Sequence, residues 1–147
     1  MKSNARPPVL HLALSRRLMV AVEAVIDIAY YGAKGAVQAA DITARQGTPR
    51  RSLEPILQLL TRTGILSGTR GPRGGYRLGN DAAQVTLGDI ARVIASSRIP
   101  DKDAAPNTVA RQVLAPLWWR LDNDMTAQLD RITVSSLTNS SVIKAAE

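Results

Sequence analysis

Residues 70–78 read RGPRGGYRL, and this short stretch decides how the rest of the chain is interpreted. Pro72 fixes its own φ and has no N–H, while the three glycines of the stretch permit positive φ values, so the segment predicts a tight turn. From Tyr76 onward apolar residues alternate with other types, which is strand spacing, and residues 65–69 are short and partly apolar. The pattern therefore predicts a β-hairpin over residues 65–78.

The tip of this expected hairpin is basic. Arg70, Arg73 and Arg77 all fall within the stretch, and arginine binds phosphate through two parallel hydrogen bonds. A basic hairpin suits the groove of a polyanion. The alternative is a solvated turn that happens to be rich in arginine.

Around the hairpin, apolar side chains recur at the spacing that is typical of helices. Gly32, Gly47 and Gly64 stand where glycine ends helices. Thr48 as an N-cap, followed by Pro49 as the first helical residue, predicts a helix start. The last fifteen residues of the chain are expected to fray. The expected helices span residues 10–31, 39–45, 49–63, 87–95 and 108–131.

The order of elements is helix, short helix, glycine turn, helix and two-stranded hairpin, which is the order of a winged helix-turn-helix. We therefore predict a mostly α fold with a small β-hairpin. The helix that begins at Pro49 is the expected recognition helix in the major groove of double-stranded DNA, and the hairpin is the expected wing at the minor groove. The candidate DNA-contacting residues are Arg16, Arg17, Gln38, Thr48, Arg50, Arg51, Ser52, Glu54, Arg70, Arg73 and Arg77.

Charge is distributed unevenly along the chain. The formal net charge is +7 and the pI is about 10.6. Residues 1–98 carry 14 Lys and Arg against 6 Asp and Glu, whereas residues 99–147 carry 5 against 6. The basic part predicts contact with a polyanion, and the near-neutral part predicts a different role.

Composition excludes several classes of function. The chain has 147 residues, 45% of them hydrophobic, which is enough for a globular domain with a core. It contains no cysteine, which excludes disulfides, thiolate nucleophiles, zinc fingers and cysteine-ligated iron–sulfur clusters. Its one histidine is His11, and Asp122 and Asp124 are spaced so that they point to different sides of a helix. We therefore expect no metal, no cofactor and no enzymatic nucleophile–base pair.

The sequence predicts neither a membrane span nor an export signal. No apolar run approaches the roughly 18 residues that span a bilayer. Arg16 and Arg17 interrupt the one apolar stretch near the N-terminus, so that segment does not have the pattern of a secretory signal. These observations predict a cytoplasmic protein with no membrane partner.

Three motifs of the chain resemble those of the Rrf-two-type winged-helix transcriptional regulators, a family that includes the iron–sulfur cluster regulator and the nitric-oxide-sensing repressor. The wing at residues 70–78 is the most specific of them. ARQG at residues 44–47, followed by Leu53-Glu54, is similar to the family's helix-turn-helix, and TLGDI at residues 86–90 is similar to a later element. The resemblance covers about residues 12–138. It implies a homodimer joined through the long C-terminal helix, binding an inverted or imperfect repeat in a promoter.

On this resemblance, the apolar stripe of the long helix is the dimerisation surface. The candidate residues are Leu114, Leu117, Trp118, Leu121, Met125 and Leu129. The expected organisation is a flexible basic arm at residues 1–9, a winged helix-turn-helix DNA-binding domain at 10–96, a linker at 97–107, the long dimerisation helix at 108–133 and a C-terminal tail at 134–147.

The chain departs from the family in three respects. Many members carry three cysteines that hold an iron–sulfur cluster, but residues 96–112 contain none, so a signal must act through another ligand or a partner. In the first helix, the family's small basic run appears here as RLMV at residues 17–20, so one phosphate-contacting arginine expected from the family is missing. Arg16 and Arg17 are the candidates to substitute for it. Pro55 interrupts the hydrogen bonding of the recognition helix, which predicts a kink or an altered groove contact.

A small-molecule effector is one candidate for the ligand that replaces the iron–sulfur cluster as the signal. Trp118, Trp119 and Tyr30 are candidates to line a pocket between the DNA-binding part and the long helix. The alternative for Trp118 is packing in the core or in the dimer interface, since it lies on the apolar stripe.

The leading hypothesis is a homodimeric, sequence-specific DNA-binding regulator that acts as a repressor. The second is an interaction module that keeps the winged-helix shape but has lost sequence-specific DNA binding, a hypothesis that Pro55 and the altered first helix motivate. An enzyme is the weakest hypothesis, because the residues of a nucleophile–base pair are lacking.

Overall fold

The computed structural model describes residues 15–81, 83–97 and 107–139. Within these ranges the chain is mostly helical with one two-stranded antiparallel sheet, as the sequence predicts. The expected arm at residues 1–9 lies outside the described residues. The elements in chain order are α1 (Arg16–Tyr31), a 3-10 turn (Gly32–Lys34), α2 (Ala39–Gln46), α3 (Arg50–Arg62), β1 (Leu66–Thr69), β2 (Gly75–Leu78), α4 (Leu87–Ser96), α5 (Val109–Leu129) and α6 (Val134–Thr138).

Helix α1 forms the centre of the core. Its residues Ala21, Ala24, Val25 and Ile28 are fully buried, and α2, α3, α4, α6 and β2 all pack against it. The predicted start at residue 10 is wrong. Ser15 has extended backbone angles, and its hydroxyl accepts a hydrogen bond from the N–H of Leu18 at 3.1 Å, so it caps the helix at Arg16.

Helices α2 and α3 form the helix-turn-helix pair. Gly47 ends α2 with φ 70°, and its N–H donates to the carbonyl of Thr43. The prediction that Thr48 caps α3 is wrong, because Pro49 occupies the cap position in an extended conformation and its carbonyl accepts from the N–H of Ser52. The fixed φ of proline suits an extended cap as well as a first helical turn, so the sequence pattern does not distinguish the two.

Strands β1 and β2 form the predicted hairpin. Their register runs from Leu66 opposite Leu78 to Thr69 opposite Gly75. A third segment, which the sequence pattern did not predict, joins this sheet at Val37. Its N–H donates to the Tyr76 carbonyl at 2.9 Å, and its carbonyl accepts from the Tyr76 N–H at 2.7 Å. This pair of hydrogen bonds ties the hairpin to the turn before α2.

The expected fraying of the last fifteen residues is wrong for residues 133–139. These residues form α6, capped by Thr133, whose hydroxyl accepts from the Ser136 N–H. Val134 is fully buried and fills part of the core beneath α1. Residues 140–147 of the expected tail, like residues 98–106 of the expected linker, lie outside the described part of the chain.

The end of α5 is fastened to α4. Arg92 donates two hydrogen bonds to the Asp130 carboxylate, at 2.8 and 2.5 Å. These bonds raise the pKa of Arg92 and lower the pKa of Asp130. Nearby, Leu87 donates its N–H to the carbonyl of Ile132. Gly88 lies so close to Asp130 that a Cβ at residue 88 would overlap the carboxylate.

No helix within the described residues is both long enough and apolar enough to cross a membrane.

Both α3 and α5 run without interruption across an internal proline, Pro55 and Pro116 respectively.

We predict that Gly88→Ala destabilises the fold by about 1–3 kcal/mol, because the added methyl group displaces Asp130 from its place beside α4. The measurement is the urea-induced unfolding free energy. Asp130→Ala serves as the second background, since it removes the overlapping carboxylate. We expect the cost of Gly88→Ala to shrink there, and an equal cost in both backgrounds would contradict the assigned contact.

Candidate nucleic-acid interface

Helix α3 has one buried face and one exposed face. Leu53, Ile56, Leu57 and Leu60 are buried in the core. The row opposite them is exposed and runs along the helix at steps of three and four residues, so it faces directly away from the core. This outward row consists of Arg51, Pro55, Gln58 and Arg62. A helix presented in this way is able to enter the major groove of DNA.

Two predicted DNA-contacting residues on α3 are paired with each other. Arg50 donates from Nε to Glu54 Oε1 at 2.6 Å. Both side chains are substantially exposed, and an exposed pair four residues apart on a helix contributes only about 0.3–0.5 kcal/mol. Arg50 can therefore exchange this partner for a phosphate or a base at little cost.

The N-termini of α1 and α3 face each other across a groove of about 420 Å³. Arg16, Arg17 and Arg51 surround it, and neither helix has an acidic residue in its first turn. Unpaired backbone N–H groups and the helix dipole both favour an anion at such ends. The remaining lining residues are Val20, Thr48, Pro49, Ser52, Pro55 and Ile56.

This groove brings together five of the predicted site residues, from two separate segments. Of these five residues, Thr48 is not accessible to a ligand, because only 5% of its surface is exposed. Ser52 and the three arginines are exposed and are available to a ligand.

The wing presents its three arginines to solvent. Arg70, Arg73 and Arg77 are all exposed. Gly71 has φ 104° and Gly75 has φ 144°, values that side chains other than glycine rarely adopt. The glycines thus give the tip its tight turn, as the sequence predicts.

Two contacts with the residues just before α2 hold this wing in place. The side-chain amide of Gln38, another predicted DNA-contacting residue, donates to the Pro72 carbonyl at 3.4 Å. Gly75 lies against Val37, where a Cβ would come within 2.5 Å of the Val37 carbonyl oxygen. Gln38 therefore contacts the tip of the wing through an exposed hydrogen bond.

Sequence reasoning missed the residues that hold α2 in place. Arg45 donates from Nε and Nη2 to the carboxylate of Asp27, at 2.8 and 2.7 Å. These hydrogen bonds raise the pKa of Arg45. The guanidinium also lies 4.0 Å from the centre of the Tyr31 ring, a cation–π contact. Arg45 was part of the ARQG motif, but nothing in the sequence identified its partner on α1.

The first half of α5 carries exposed apolar side chains. Every residue from 107 to 121 is exposed, and Val109 and Val113 reach 76% and 69%. Large exposed apolar groups in a row mark a surface that another molecule covers. Four predicted dimerisation residues belong to this surface: Leu114, Leu117, Trp118 and Leu121.

The other two predicted dimerisation residues lie nearer the fastened end of α5. Met125 and Leu129 are half-buried, and Leu129 packs against the core of its own chain. Leu129 is therefore covered in part by residues of its own chain.

The three aromatic residues expected to line an effector pocket lie in different settings. Trp118 and Trp119 are exposed on α5, whereas Tyr30 makes an edge-to-face contact with Tyr31. The groove lined by Arg16, Arg17 and Arg51 includes none of these aromatic residues.

A family comparison and a comparison with individual proteins both match this chain to transcriptional regulators. The Rrf2 family, described as iron-dependent transcriptional regulators, matches residues 14–140. The HTH-type transcriptional regulator IscR of Cronobacter sakazakii is 32% identical over 132 residues, which cover 87% of this chain and 81% of that protein. The protein of the same name from Escherichia coli K12 is also 32% identical over 132 residues, with the same coverage.

Solved structures show the same fold. T. potens IscR superposes with a TM-score of 0.66 at 26% identity, covering 90% of this chain and 87% of that one. CymR, the global cysteine regulator of B. subtilis, superposes with a TM-score of 0.65 at 24% identity, covering 84% and 94%. These relatives are named as regulators rather than as enzymes.

The family description implies iron, but the ligands of a cysteine-bound cluster are missing. The chain contains no cysteine and one histidine. Within the described ranges, no three residues among His, Cys, Asp and Glu are grouped so that they could hold a metal ion. Thiolates are the ligands of such clusters, so the residues present do not fit one.

We predict that Gly75→Ala destabilises the protein by about 1–3 kcal/mol and weakens its binding to duplex DNA, because the methyl group strains a positive φ and meets the Val37 carbonyl. Unfolding free energy and DNA affinity are the measurements. Gly68→Ala, in the partner strand, is the matched control, since its Cβ would make ordinary contacts of 3.8 and 3.9 Å. Equal effects of the two substitutions would argue against a wing held at Val37.

Proposed function

The chain belongs to the Rrf2 family of transcriptional regulators, and on that premise we propose that it represses transcription as a homodimer bound to a specific promoter sequence. The observation that carries the proposal is the combination, in one winged-helix fold, of the outward row of α3, the basic groove beside it and the arginine-bearing wing. Each is a known type of DNA contact, and their order in the chain is that of a winged helix.

We assign different roles to these contacts. Arg51 and Arg50 stand at the N-terminal end of α3, the part of a recognition helix that approaches base edges. Arg16, Arg17 and Ser52 surround the groove between two helix N-termini, which suits a backbone phosphate. Arg70 and Arg73 belong to the wing and would lie at the minor groove, where a narrow groove attracts guanidinium groups.

The homodimer rests on the first half of α5. Its exposed stripe of leucines and Trp118 is apolar, and burial of such a stripe against a second copy removes it from water. The proposed division of the chain follows: residues 10–96 bind DNA, residues 97–107 link, and residues 108–133 dimerise. The arm at residues 1–9 adds positive charge.

The signal that controls binding is not a cysteine-ligated cluster, because the chain has no thiolate to offer. A small molecule or a partner protein remains as the source of regulation. We place the protein in the cytoplasm, together with the promoter DNA on which it acts.

A second candidate function is a winged-helix interaction module without sequence preference. Pro55, in the middle of the outward row, is the observation that favours it. Selection of bound sequences from random duplexes separates the two functions, since an enriched motif excludes the second.

For the wing, we predict that the double substitution Arg70→Ala with Arg73→Ala weakens promoter binding without unfolding the chain. The slope of log affinity against log salt should become shallower by about 0.9 for each phosphate that is no longer neutralised. Fluorescence anisotropy at several salt concentrations measures this slope. Arg120→Ala with Arg131→Ala removes the same charge from the far part of the chain and should leave the slope nearly unchanged, whereas an equal change in both variants would exclude a specific role for the wing.

For the dimer, we predict that Leu117→Glu converts the protein to monomers, because it places a charge in the apolar stripe. Sedimentation velocity measures the mass. Trp119→Glu is the control: Trp119 is 57% exposed and lies off the stripe, so that variant should stay dimeric. A Leu117→Glu protein that sediments as a dimer would exclude this surface.

A further inference from the structure

Pro55 is the apolar member of the outward row of α3. Arg51 lies one turn before it, and Gln58 and Arg62 follow it. All four are exposed, so the row presents a guanidinium, a proline ring, an amide and a second guanidinium. The three polar members can hydrogen-bond to a base edge or a phosphate. The proline ring offers only CH₂ groups and has no N–H.

Neither local structure nor packing accounts for this proline. It lies in the interior of α3, where proline is the least favourable residue. Its ring is exposed and belongs to the rim of the groove beside Arg16 and Arg17 rather than to the core. A role in the folded monomer alone therefore gives no reason for its presence, whereas a role in contact with a ligand does.

The chemistry of the major groove limits what such a ring can recognise. Of the groups that base pairs display there, the C5-methyl group of thymine is the apolar one, and the others donate or accept hydrogen bonds. We propose that Pro55 is a specificity-determining residue that packs against a thymine methyl group in each half of the operator. This inference rests on the proposed function, because it requires α3 to lie in the major groove.

The position of Arg51 adds a second element to the recognised sequence. One helical turn advances by 5.4 Å, and successive base pairs are 3.4 Å apart. Arg51 pairs best with guanine, so each half-site should contain a guanine with the contacted thymine one or two base pairs away.

A competing account uses the same residue differently. Because Pro55 has no N–H, the carbonyl of Arg51 lacks its usual helical donor. That carbonyl is an acceptor for the exocyclic amino group of adenine or cytosine. The two accounts predict sensitivity to different groups on the DNA, so one experiment separates them.

The experiment begins with the motif enriched from random duplexes by the full-length protein. Each thymine of the motif is then replaced in turn by deoxyuridine, which removes the methyl group and keeps the pairing. We expect one thymine per half-site at which the replacement weakens binding about fourfold, the ratio that corresponds to one buried apolar carbon.

Pro55→Ala is the decisive variant. Alanine removes most of the ring and restores the helical N–H, so the helix is stabilised and the fold is kept. This variant should bind the thymine and deoxyuridine duplexes with nearly equal affinity. Gln58→Ala, on the same row, is the matched control: it lowers affinity for both duplexes while the fourfold ratio persists.

Three results would overturn the inference. In the first, the affinity of the parent protein does not change when deoxyuridine replaces any thymine of the motif. In the second, Pro55→Ala keeps the fourfold ratio of affinities. Alternatively, the parent would respond to loss of the adenine or cytosine amino group and Pro55→Ala would not, which assigns the Arg51 carbonyl instead. Absence of any enriched motif contradicts the proposed function itself, and is distinguished from these three because in each of them a motif exists.

Discussion

Burial of α1 is the constraint on which the rest of the structure depends. Ala21, Ala24, Val25 and Ile28 have no exposed surface, and α2, α3, β2, α4 and α6 are all packed on this helix. The two alanines leave room for neighbours to approach closely. As a result, α3 and β2 share one support, and α3 also packs directly against β1, so that packing contacts rather than flexible connections set the distance between α3 and the wing.

Smaller contacts then orient the individual parts of the interface. The Arg45–Asp27 pair holds α2 against α1, the Val37–Tyr76 hydrogen bonds hold the wing beside α2, and the Arg92–Asp130 pair holds the end of α5 against α4. Each of these contacts joins segments far apart in the sequence. The first two contacts hold in place the segments beside the exposed arginines that we assign to DNA, and none of the residues that make these two contacts is itself among those assigned arginines.

The elements with strong local signals were predictable from the sequence. Gly47 and the Gly-Pro stretch at residues 71–72 are local signals for turns, and the apolar spacing in α3 identifies its buried face without reference to any neighbour. Val37, Arg45 and Val134 were not predictable in the same way, because their partners lie 14 or more residues away and no local pattern identifies them. The start of α3 was predicted one residue early for a different reason: proline has the same φ in an extended cap and in a first helical turn.

Attachment of α5 at one end has a geometric consequence. Its 21 residues make a rod of about 31 Å, whose C-terminal end is fastened through Asp130 and whose first half makes no packing contact that buries it within the described residues. A tilt of about 6° at the fastened end moves the far end by about 3 Å, close to the 3.4 Å step between base pairs. A small rotation about the contact between Asp130 and Arg92 is therefore enlarged, along the helix, into a displacement of about 3 Å at the exposed far end. If α5 joins two copies as we propose, rotation at this one contact changes how far apart the two DNA-binding parts stand.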